Sequence, residues 1–483
     1  MAAIRGIYAM QGLNINFTRE GLLMKKDTVQ MLLNQLKEKN HYHNDGKGVL
    51  YRYSLEKGIW IALEGVSGRR YLATDTQAVK PDLRVRELDV LYSELCEDIR
   101  FTEDKLAEEG CTPLIAVNNG VVNLETGELL EHDPQFFLRN ALDFKYSKDA
   151  ATLPPENAWQ KFGQTSLGIK GDVMADATGQ WKSFTEAFIY ALSRLPNNKK
   201  MIILLGPANS GKSAILEVME RLVGESAWVP MSFSDMCTRF RGSLMERMQL
   251  LTCDEMPNAP LRKLDVIKRI IGGNPVLIEG KGVNAKKYRP CSKIVFATNN
   301  LPTLGEPDVG GGFAERLHII PFSKRSNATD PNLVENLWSD RDVFLSVAVH
   351  TMPEFIKRGY SFSQDNTSAR LLAEFKSNAF SLETFLNDCC YHSANNRLPL
   401  SVFYEKYVDF CKDNLSTAIP RTELKAALTQ LGYVCKRMRV TDAEYPNAVQ
   451  CVLDLALQGA ISGNAADIAP DKPVHVVISR KDA

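Results

Sequence analysis

An apolar run, a glycine-containing loop and a helical segment follow one another without interruption at residues 201–223. The run MIILL (201–205) has the composition of a buried β-strand, GPANSGKS follows at Gly206–Ser213, and AILEVMERLV then has helical periodicity. In such a unit, the main-chain N–H groups of the loop and the start of the helix face one point and bind an anion. The segment therefore predicts a parallel α/β sheet with a phosphate site at the end of this strand.

Each residue type in the loop suits phosphate binding. Gly206 and Gly211 let the main chain curl so that its N–H groups point at phosphate oxygens. Lys212 is expected to reach the β- and γ-phosphates, and the Ser213 hydroxyl is expected to bind Mg²⁺. ATP and Mg²⁺ are therefore the expected cofactors; a plain turn is the alternative, against which the flanking strand and helix argue. The expected nucleotide-binding residues are Gly206, Pro207, Ala208, Asn209, Ser210, Gly211, Lys212 and Ser213.

An acidic element follows further along the chain. LLTC (250–253) predicts a strand that ends at Asp254–Glu255. We expect Asp254 to bind Mg²⁺, directly or through water, and Glu255 to orient and deprotonate an attacking water. An acidic pair alone is usually solvated surface, but its position after an apolar strand downstream of the phosphate loop favours a catalytic role.

Two further polar residues complete the predicted site. KIVFATNN (293–300) predicts another strand, and Asn299 just past its end could touch the γ-phosphate or the attacking water. GGGFAERLHIIPF (310–322) places Arg316 after a glycine run, where a guanidinium could stabilise the transferring phosphoryl group, often from a neighbouring subunit. Taken singly, Asn299 fits an ordinary turn and Arg316 a surface arginine. The expected catalytic residues are Lys212, Glu255, Asn299 and Arg316.

The order of these elements, with the endings ATNN-LP and R-x4-PF, resembles superfamily-3 helicases, in particular the phage and plasmid primase–helicase group related to poxvirus-type enzymes. KRIIGGNPVLIEGKGVNAKKYRP (268–290) is similar to a motif that the family carries before its asparagine strand, although Asn274 stands where aspartate is commoner. The resemblance implies an AAA+-like ATPase ring, expected to be a hexamer with ATP between subunits, and 3′-to-5′ travel on DNA.

The same motif contains a basic segment. VLIE (276–279) and the run around Tyr288 are expected to pair as a hairpin, and no acid interrupts its basic residues, Lys281, Lys286, Lys287 and Arg289. On a ring-shaped motor such hairpins hold DNA phosphates in the channel, so Lys281, Lys286 and Lys287 are the expected DNA-binding residues. A solvated charged loop is the alternative. Lys268 is a weaker candidate for a nucleotide-sensing contact across the subunit interface.

The chain is expected to divide into five parts. These are a mixed α/β region (1–150), a helical linker (151–200), the ATPase core (201–325), a helical continuation (326–395) and a winged-helix-like DNA-binding domain (396–483). In the first part we expect a helix at 25–40, a strand–turn–strand at 48–64 and a turn at Thr126–Gly127. In the last part, YVCKRMRV (433–440) and VHVVISRK (474–481) are expected to be β-rich. LIAVNNGVVNLETGELLEH (114–132) resembles the segment that precedes the ATPase in the group, and SVFYEKYVDFCKDN (401–414) begins the part that resembles its winged-helix module. The basic cluster Lys436, Arg437 and Arg439 could contact duplex or origin DNA, or protect a solvated strand edge.

Composition limits the remaining possibilities. Lys+Arg and Asp+Glu both total 58 in 483 residues, so DNA binding would need local basic patches. Ten cysteines without paired spacing, no signal peptide and no long apolar run favour a cytoplasmic protein of the host cell, without membrane contact. The first 200 residues contain no D-x-D followed by S-x-H, so primase activity is not expected; the pair Asp340 and Asp342 lies in a helical stretch after the motor.

Three functions are compatible with these patterns. The first is a hexameric, ATP-driven replicative helicase that acts on single-stranded and forked DNA, with a possible separate primase or polymerase partner. The second is an origin-binding initiator or helicase loader that uses ATP as an assembly switch without processive unwinding. The third is a small-molecule kinase or another metabolic NTPase, against which the basic hairpin and Arg316 argue.

Overall fold

The computed structural model describes residues 26–39, 41–63, 65–107, 111–255, 261, 263–280, 285–302, 304, 312–323, 330–379, 381–413, 418–440 and 447–458. Contacts divide the chain into two units. The first comprises Met1–Gly110, Ala116–Val121 and Leu130–Ala141, and the second comprises Cys111–Ile115, Val122–Leu129 and Leu142–Ala483.

The first unit combines helices with a small antiparallel sheet. Its elements are α1 (Lys26–Glu38), β1 (Tyr42–Asn44), β2 (Leu50–Ser54), β3 (Ile59–Leu63), α2 (Gly65–Thr76), α3 (Val85–Glu97) and α4 (Asp104–Ala107). The strands are neighbours in the order β1-β2-β3. Leu32 and Leu36 on one face of α1 pack with Leu91 of α3 in a common core. The helix expected at 25–40 and the strand–turn–strand expected at 48–64 are confirmed.

Short strands fill the next segment of the chain. They are β4 (Leu114–Val117), β5 (Gly120–Asn123), β6 (Glu128–Leu130) and β7 (Ala141–Leu142). Gly127 adopts φ +71°, which glycine tolerates without strain, and its N–H donates to Asn123 O at 2.7 Å. The reversal expected at Thr126–Gly127 is therefore present.

The second unit contains a five-stranded parallel sheet preceded by α5 (Ala158–Thr165) and α6 (Gln180–Ala191). Its following elements are β8 (Met201–Leu205), α7 (Lys212–Val223), β9 (Trp228–Pro230), α8 (Phe233–Met236), α9 (Arg239–Gly242), β10 (Leu250–Cys253), α10 (Leu264–Ile271), β11 (Val276–Ile278), β12 (Lys286–Tyr288), β13 (Lys293–Thr298) and β14 (Leu317–Pro321). The strand order is β14-β8-β13-β10-β9, with parallel pairing throughout. The parallel sheet with crossover helices predicted from the sequence is confirmed.

Burial explains why these strands could be recognised. β8, β13 and β14 are buried at every position, as expected for parallel strands covered on both faces. Their sequences are accordingly mostly apolar runs rather than alternating patterns, and their polar members, Lys293, Thr298 and His318, are buried as well. β13 lies between β8 and β10, so the strand that precedes Asn299 separates the phosphate-loop strand from the acidic strand.

A smaller α/β core follows the sheet and its helices. Along the chain, α11 (Leu333–Ser339), α12 (Arg341–Val349), α13 (Met352–Lys357) and α14 (Asn366–Ala379) come first and pack on the parallel sheet and its helices. The smaller core itself contains α15 (Ser381–Cys389), β15 (Cys390–Pro399), α16 (Leu400–Asp413), α17 (Arg421–Gln430), β16 (Cys435–Met438) and β17 (Val449–Leu457). The three strands are antiparallel in the order β15-β17-β16. Leu386, Tyr407, Leu428 and Val452 share one buried cluster.

The helical continuation expected through residue 395 is wrong at its end. α15 stops at Cys389, and residues 390–399 form β15, which pairs with β17 and carries a bulge in which Asn395 has φ +63°. Pairing with β17 satisfies the main chain and buries Leu398, which outweighs the local helical pattern.

The β-rich tail was only partly anticipated. β16 lies inside the segment YVCKRMRV (433–440), as expected. β17 at 449–457 was not predicted, although it is the central strand of this sheet. The other expected β-rich segment, VHVVISRK (474–481), lies outside the described residues.

A buried lysine begins β13 at the amino end of the sheet. The Lys293 side chain is almost fully buried, its Nζ donates to Leu195 O at 2.6 Å, and it lies 4.5 Å from the centre of the Tyr190 ring. Burial lowers the pKa of Lys293 to about 8. In the unfolded chain the pKa of lysine is about 10.4. Between pH of about 8 and about 10.4, unfolding therefore takes up a proton, and the free energy of unfolding should rise with pH.

We therefore predict that Lys293→Met removes part of the pH dependence of stability. Between pH 7.5 and pH 10.5, the unfolding free energy of the native protein should rise by about 2–3 kcal/mol relative to that of Lys293→Met. Urea unfolding across this range measures it. Lys161→Met removes an exposed lysine of α5 and should leave the pH dependence unchanged. Parallel pH profiles for the native protein and Lys293→Met would contradict the prediction.

Candidate active site

The phosphate loop has a turn geometry that depends on glycine. The main chain is left-handed at Asn209 (φ +59°) and Gly211 (φ +96°), and α7 begins directly afterwards at Lys212. A Cβ on Gly206 would lie 2.4 Å from the main-chain oxygen of Phe322, so a side chain does not fit there. The loop thereby brings the N-terminus of a 12-residue helix to the carboxyl edge of the sheet, which favours an anion.

The Lys212 ammonium lies at the centre of the site. Its Nζ donates to Gly206 O at 2.7 Å, to Pro207 O at 2.8 Å and to Asn299 Oδ1 at 3.0 Å. Burial lowers the pKa of Lys212, and the nearby Asp254 carboxylate opposes this shift. Because charged oxygens are stronger partners for an ammonium than carbonyl oxygens, this group could exchange its neutral partners for a phosphate.

Two hydrogen bonds join α7 to β10. Ser213 Oγ donates to Asp254 Oδ1 at 2.7 Å, and Thr252 Oγ1 donates to Glu220 Oε1 at 2.6 Å. Burial raises the pKa of Glu220. Ligands of octahedral Mg²⁺ lie about 3 Å apart, so Ser213 and Asp254 are spaced as a shared cation site requires. Glu255 is exposed and directly follows Asp254 in the chain.

The central position of β13 brings Asn299 into the site. Thr298, the last residue of β13, pairs with Leu205, the last residue of β8. Asn299 therefore leaves the sheet beside the phosphate loop, where its amide oxygen accepts the Lys212 hydrogen bond. Residues from three strand ends, β8, β10 and β13, thus meet at one edge.

Arg316 lies at the opposite edge of the sheet. Leu317, the first residue of β14, pairs with Met201, the first residue of β8, and Lys200 Nζ donates to Glu315 O at 2.6 Å. A five-residue strand spans about 16 Å, so Arg316 is separated from its own phosphate loop by the length of the sheet. Of the predicted catalytic residues, the structure brings Lys212 and Asn299 together and excludes Arg316 from their site.

The expected hairpin is confirmed as an antiparallel pair. β11 and β12 pair with Leu277 opposite Lys287 and Ile278 opposite Lys286. Lys286 Nζ forms an ion pair with Glu246 Oε1 at 2.6 Å, whereas Lys287 is exposed. Lys281 lies outside the described residues.

Sequence reasoning missed three exposed apolar residues in and near this hairpin. Phe240 is 59% exposed, and Leu244 and Leu277 are each about half exposed at 52% and 50%. A Cβ on Gly242 would lie 3.4 Å from Ile278 Cγ2, so α9 packs against β11. Leu277 and Lys287 are opposite each other and share the other face of the hairpin. We call these four exposed residues, Phe240, Leu244, Leu277 and Lys287, the hairpin surface. The available signal was the aromatic residue between two arginines in RFRG (239–242), a pattern that stacking on nucleic acid would use.

Other charged residues singled out from the sequence have identifiable surroundings. Lys436, Arg437 and Arg439 are exposed on and just after β16. Asp340 Oδ2 accepts from Ala158 N at 2.7 Å, and Asp342 Oδ1 accepts from Lys145 N at 3.1 Å. These two carboxylates therefore cap main-chain N–H groups.

Two family models match this chain. Residues 30–168 match "D5 N terminal like", and residues 204–311 match a "Family of unknown function (DUF5906)". The first match confirms the resemblance to the phage-type primase–helicase group. The second covers the phosphate loop, Asp254 and Asn299.

Solved structures and curated proteins add the following. The apo structure of the NrS-1 C terminal region has a TM-score of 0.45 and 9% identity, with 89% of this chain and 100% of that chain covered. Two A form apo structures of the same region have TM-scores of 0.44, with 10% and 8% identity, and each match covers 88% of this chain and 99% of the other. No curated protein matches the chain. Among the described residues, no helix has the length and apolar character needed to cross a membrane.

The contact between Gly206 and Phe322 generates a stability prediction. Gly206→Ala should lower the unfolding free energy by about 1–3 kcal/mol, because its methyl group would overlap a main-chain oxygen. Urea unfolding measures the change. Gly242→Ala is the control, since its Cβ would meet neighbours only at 3.4 Å and beyond; it should be neutral or stabilising by up to about 1 kcal/mol. Equal effects of the two substitutions would contradict the prediction.

Proposed function

We propose that this chain, a primase–helicase-related replication protein whose residues 30–168 match the D5 N terminal like family, is an ATP-dependent replicative DNA helicase of a phage, plasmid or other mobile element. The observation that carries the proposal is the convergence of Lys212, Asn299, Ser213 and Asp254 at one edge of the sheet. ATP and Mg²⁺ are the proposed ligands of this edge.

The strand order supports an AAA+-like assignment of the core. One strand, β13, separates the phosphate-loop strand from the acidic strand, so an asparagine and a carboxylate reach the same phosphate from different strands. The C-terminal core of three helices and a three-stranded antiparallel sheet is compatible with a winged-helix-like domain. Its exposed Lys436, Arg437 and Arg439 are candidates for phosphate contacts with duplex DNA.

The proposed reaction is hydrolysis of the γ-phosphoryl group. Glu255 takes a proton from a water molecule while the oxygen of that water bonds to the γ-phosphorus. The bond between the γ-phosphorus and the β–γ bridging oxygen breaks, and ADP and phosphate leave. Lys212 neutralises phosphate charge, while Asn299 orients the water or the γ-phosphate. Mg²⁺ held through Ser213 and Asp254 would supply further charge neutralisation between the phosphates.

Arg316 is proposed to act on a neighbouring subunit. Its location at the amino edge of the sheet, while Lys212 lies at the carboxyl edge, prevents it from reaching its own site. A ring of copies would bring the amino edge of one subunit toward the nucleotide of the next, which requires an oligomer, proposed to be a hexamer. A monomeric small-molecule kinase would have no use for an arginine placed in this way.

DNA is proposed to contact the hairpin surface. Phe240 and Leu277 offer apolar area for base stacking, and Lys287 offers charge for the phosphates. Lys281, a DNA-binding residue expected from the sequence, is proposed to contact DNA as well. Travel in the 3′-to-5′ direction is proposed from the family resemblance.

The hydrolysis step predicts a separation of binding from turnover. Glu255→Gln should retain binding of Mg²⁺–ATP and lower kcat by about 100-fold or more, because the base is lost while the phosphate ligands remain. Steady-state ATP hydrolysis and equilibrium binding of a fluorescent ATP analogue measure the two effects. Glu225→Gln, at an exposed glutamate just after α7, is the matched control. A Glu255→Gln protein with native kcat would contradict the assignment.

The hairpin surface predicts a DNA-specific defect. Phe240→Ala should weaken single-stranded DNA binding about 10-fold, since a base–aromatic stacking contact is worth about 1–3 kcal/mol. Lys287→Ala should weaken binding through the loss of one phosphate contact. Both substitutions should slow strand displacement on forks while basal ATP hydrolysis stays native. Lys287→Ala should also reduce the slope of log affinity against log salt by about 1. Lys161→Ala on α5 is the control.

ATP hydrolysis by the native protein without displacement on forks of either polarity would overturn the helicase proposal and favour an ATP-switched initiator.

A further inference from the structure

Arg316 is carried by a short 3₁₀ turn that is tied to its surroundings at several points. The turn spans Ala314–Arg316, and Arg316 N donates to Phe313 O at 2.8 Å. The guanidinium Nη1 of Arg316 donates to Gly312 O, while its Nε is buried without a hydrogen-bond partner among the described residues. The position of the guanidinium therefore depends on how this turn is held.

Two lysines from different elements hold the middle residue of the turn. Lys376 of α14 forms an ion pair with the Glu315 carboxylate. Lys200, which immediately precedes β8, donates to the main-chain oxygen of Glu315 at 2.6 Å. The Lys376 ammonium lowers the pKa of Glu315, which keeps this carboxylate charged. Glu315 is thus fixed at its main chain by one cation and at its side chain by another.

Apolar and polar contacts fasten α14 to the same sheet edge. Phe375, beside Lys376, packs on Phe313 with ring centres 6.3 Å apart, and both rings are buried. Ser368 Oγ in the first half of α14 donates to Ile319 O of β14 at 2.7 Å. α14 therefore runs along β14 with a fixed register, which places Lys376 beside the turn that carries Arg316.

The local charges explain why an ion pair is needed at this point. Burial lowers the pKa of Lys200, and the nearby positive charges of Lys376 and Arg316 lower it further. A Cβ on Gly312 would lie 3.5 Å both from Lys268 Nζ and from Arg316 Nη1, so a fourth cation is adjacent. Without the Glu315 carboxylate, mutual repulsion would favour other positions for the guanidinium.

We propose that Glu315 and Lys376 are positioning residues for Arg316: their ion pair fixes the 3₁₀ turn so that the guanidinium meets the nucleotide of a neighbouring subunit. This proposal rests on the proposed function, in which Arg316 acts on that nucleotide. It assigns a catalytic consequence to α14, a helix outside the motifs that identify the ATPase. α14 ends at Ala379, and α15 of the C-terminal core begins at Ser381.

The test compares ATP hydrolysis by Lys376→Ala and Glu315→Gln with that of the native protein. Each substitution should lower kcat about 10- to 100-fold, the range associated with misplacing a catalytic group by about 1 Å, with unchanged binding of an ATP analogue and unchanged thermal stability. Lys376→Arg, which keeps a cation opposite the Glu315 carboxylate, should retain most of native kcat. Glu374→Ala is the matched control, because it removes an exposed ion pair with Arg370 on the same helix.

A double-mutant cycle separates positioning from a general structural role. If the ion pair acts through Arg316, adding Lys376→Ala to Arg316→Ala should not lower the single-turnover rate constant of ATP hydrolysis any further. A further loss of similar size in the Arg316→Ala background, or a native kcat for Lys376→Ala, would overturn the proposal.

The outcomes also separate this inference from the proposed function. A native protein that does not hydrolyse ATP would contradict the proposed function itself. If the native protein hydrolyses ATP, Arg316→Ala is defective and Lys376→Ala behaves like Glu374→Ala, then the positioning role alone is wrong.

Discussion

The insertion of β13 between β8 and β10 is the constraint on which the rest of the site depends. Because all three strands are parallel, their carboxyl ends lie at one edge, and each end contributes a different chemical group. Two hydrogen bonds connect these groups: Lys212 Nζ donates to Asn299 Oδ1 at 3.0 Å, and Ser213 Oγ donates to Asp254 Oδ1 at 2.7 Å. A different strand order would keep the same motifs and separate these groups.

The same parallel arrangement gives the two edges of the sheet different roles. The carboxyl edge holds the groups that suit phosphate and a divalent cation. The amino edge holds Arg316, Lys200 and the contact with Lys376, a concentration of positive charge around one carboxylate. A strand length of about 16 Å lies between them, and the proposed function therefore requires Arg316 to act on the nucleotide of a second copy.

Much of the site could be predicted because it lies in short, fully buried strands. The runs at 201–205, 250–253 and 293–298 are mostly apolar and almost fully buried, and the residues that follow each run lie at the carboxyl edge of the sheet. Lys212 and Asp254 follow from this pattern, whereas Asn299, which alone fits an ordinary turn, was singled out by its place in the order of the elements. That Arg316 lies at the other edge does not follow from the pattern, since it depends on the pairing of β14 with β8.

The features that were missed depend on contacts distant in sequence. β17 was not recognised because its alternating pattern is weak, and β15 was taken for helix because its pairing partner lies about sixty residues later in the chain. The exposure of Phe240 could not be known before its neighbour β11 was placed. The Glu315–Lys376 ion pair likewise joins two elements that are distant in sequence, and no sequence pattern connects them.

Under the proposed function, nucleotide hydrolysis requires two copies of this chain. Mixing Lys212→Ala protein with Arg316→Ala protein tests this requirement, because each protein lacks one half of the shared site. Either protein alone should have little ATP hydrolysis, and mixtures should recover a measurable fraction of native kcat with a maximum near equal proportions. If mixtures at every ratio show only the sum of the separate activities, while both proteins assemble and bind single-stranded DNA normally, the shared site is wrong.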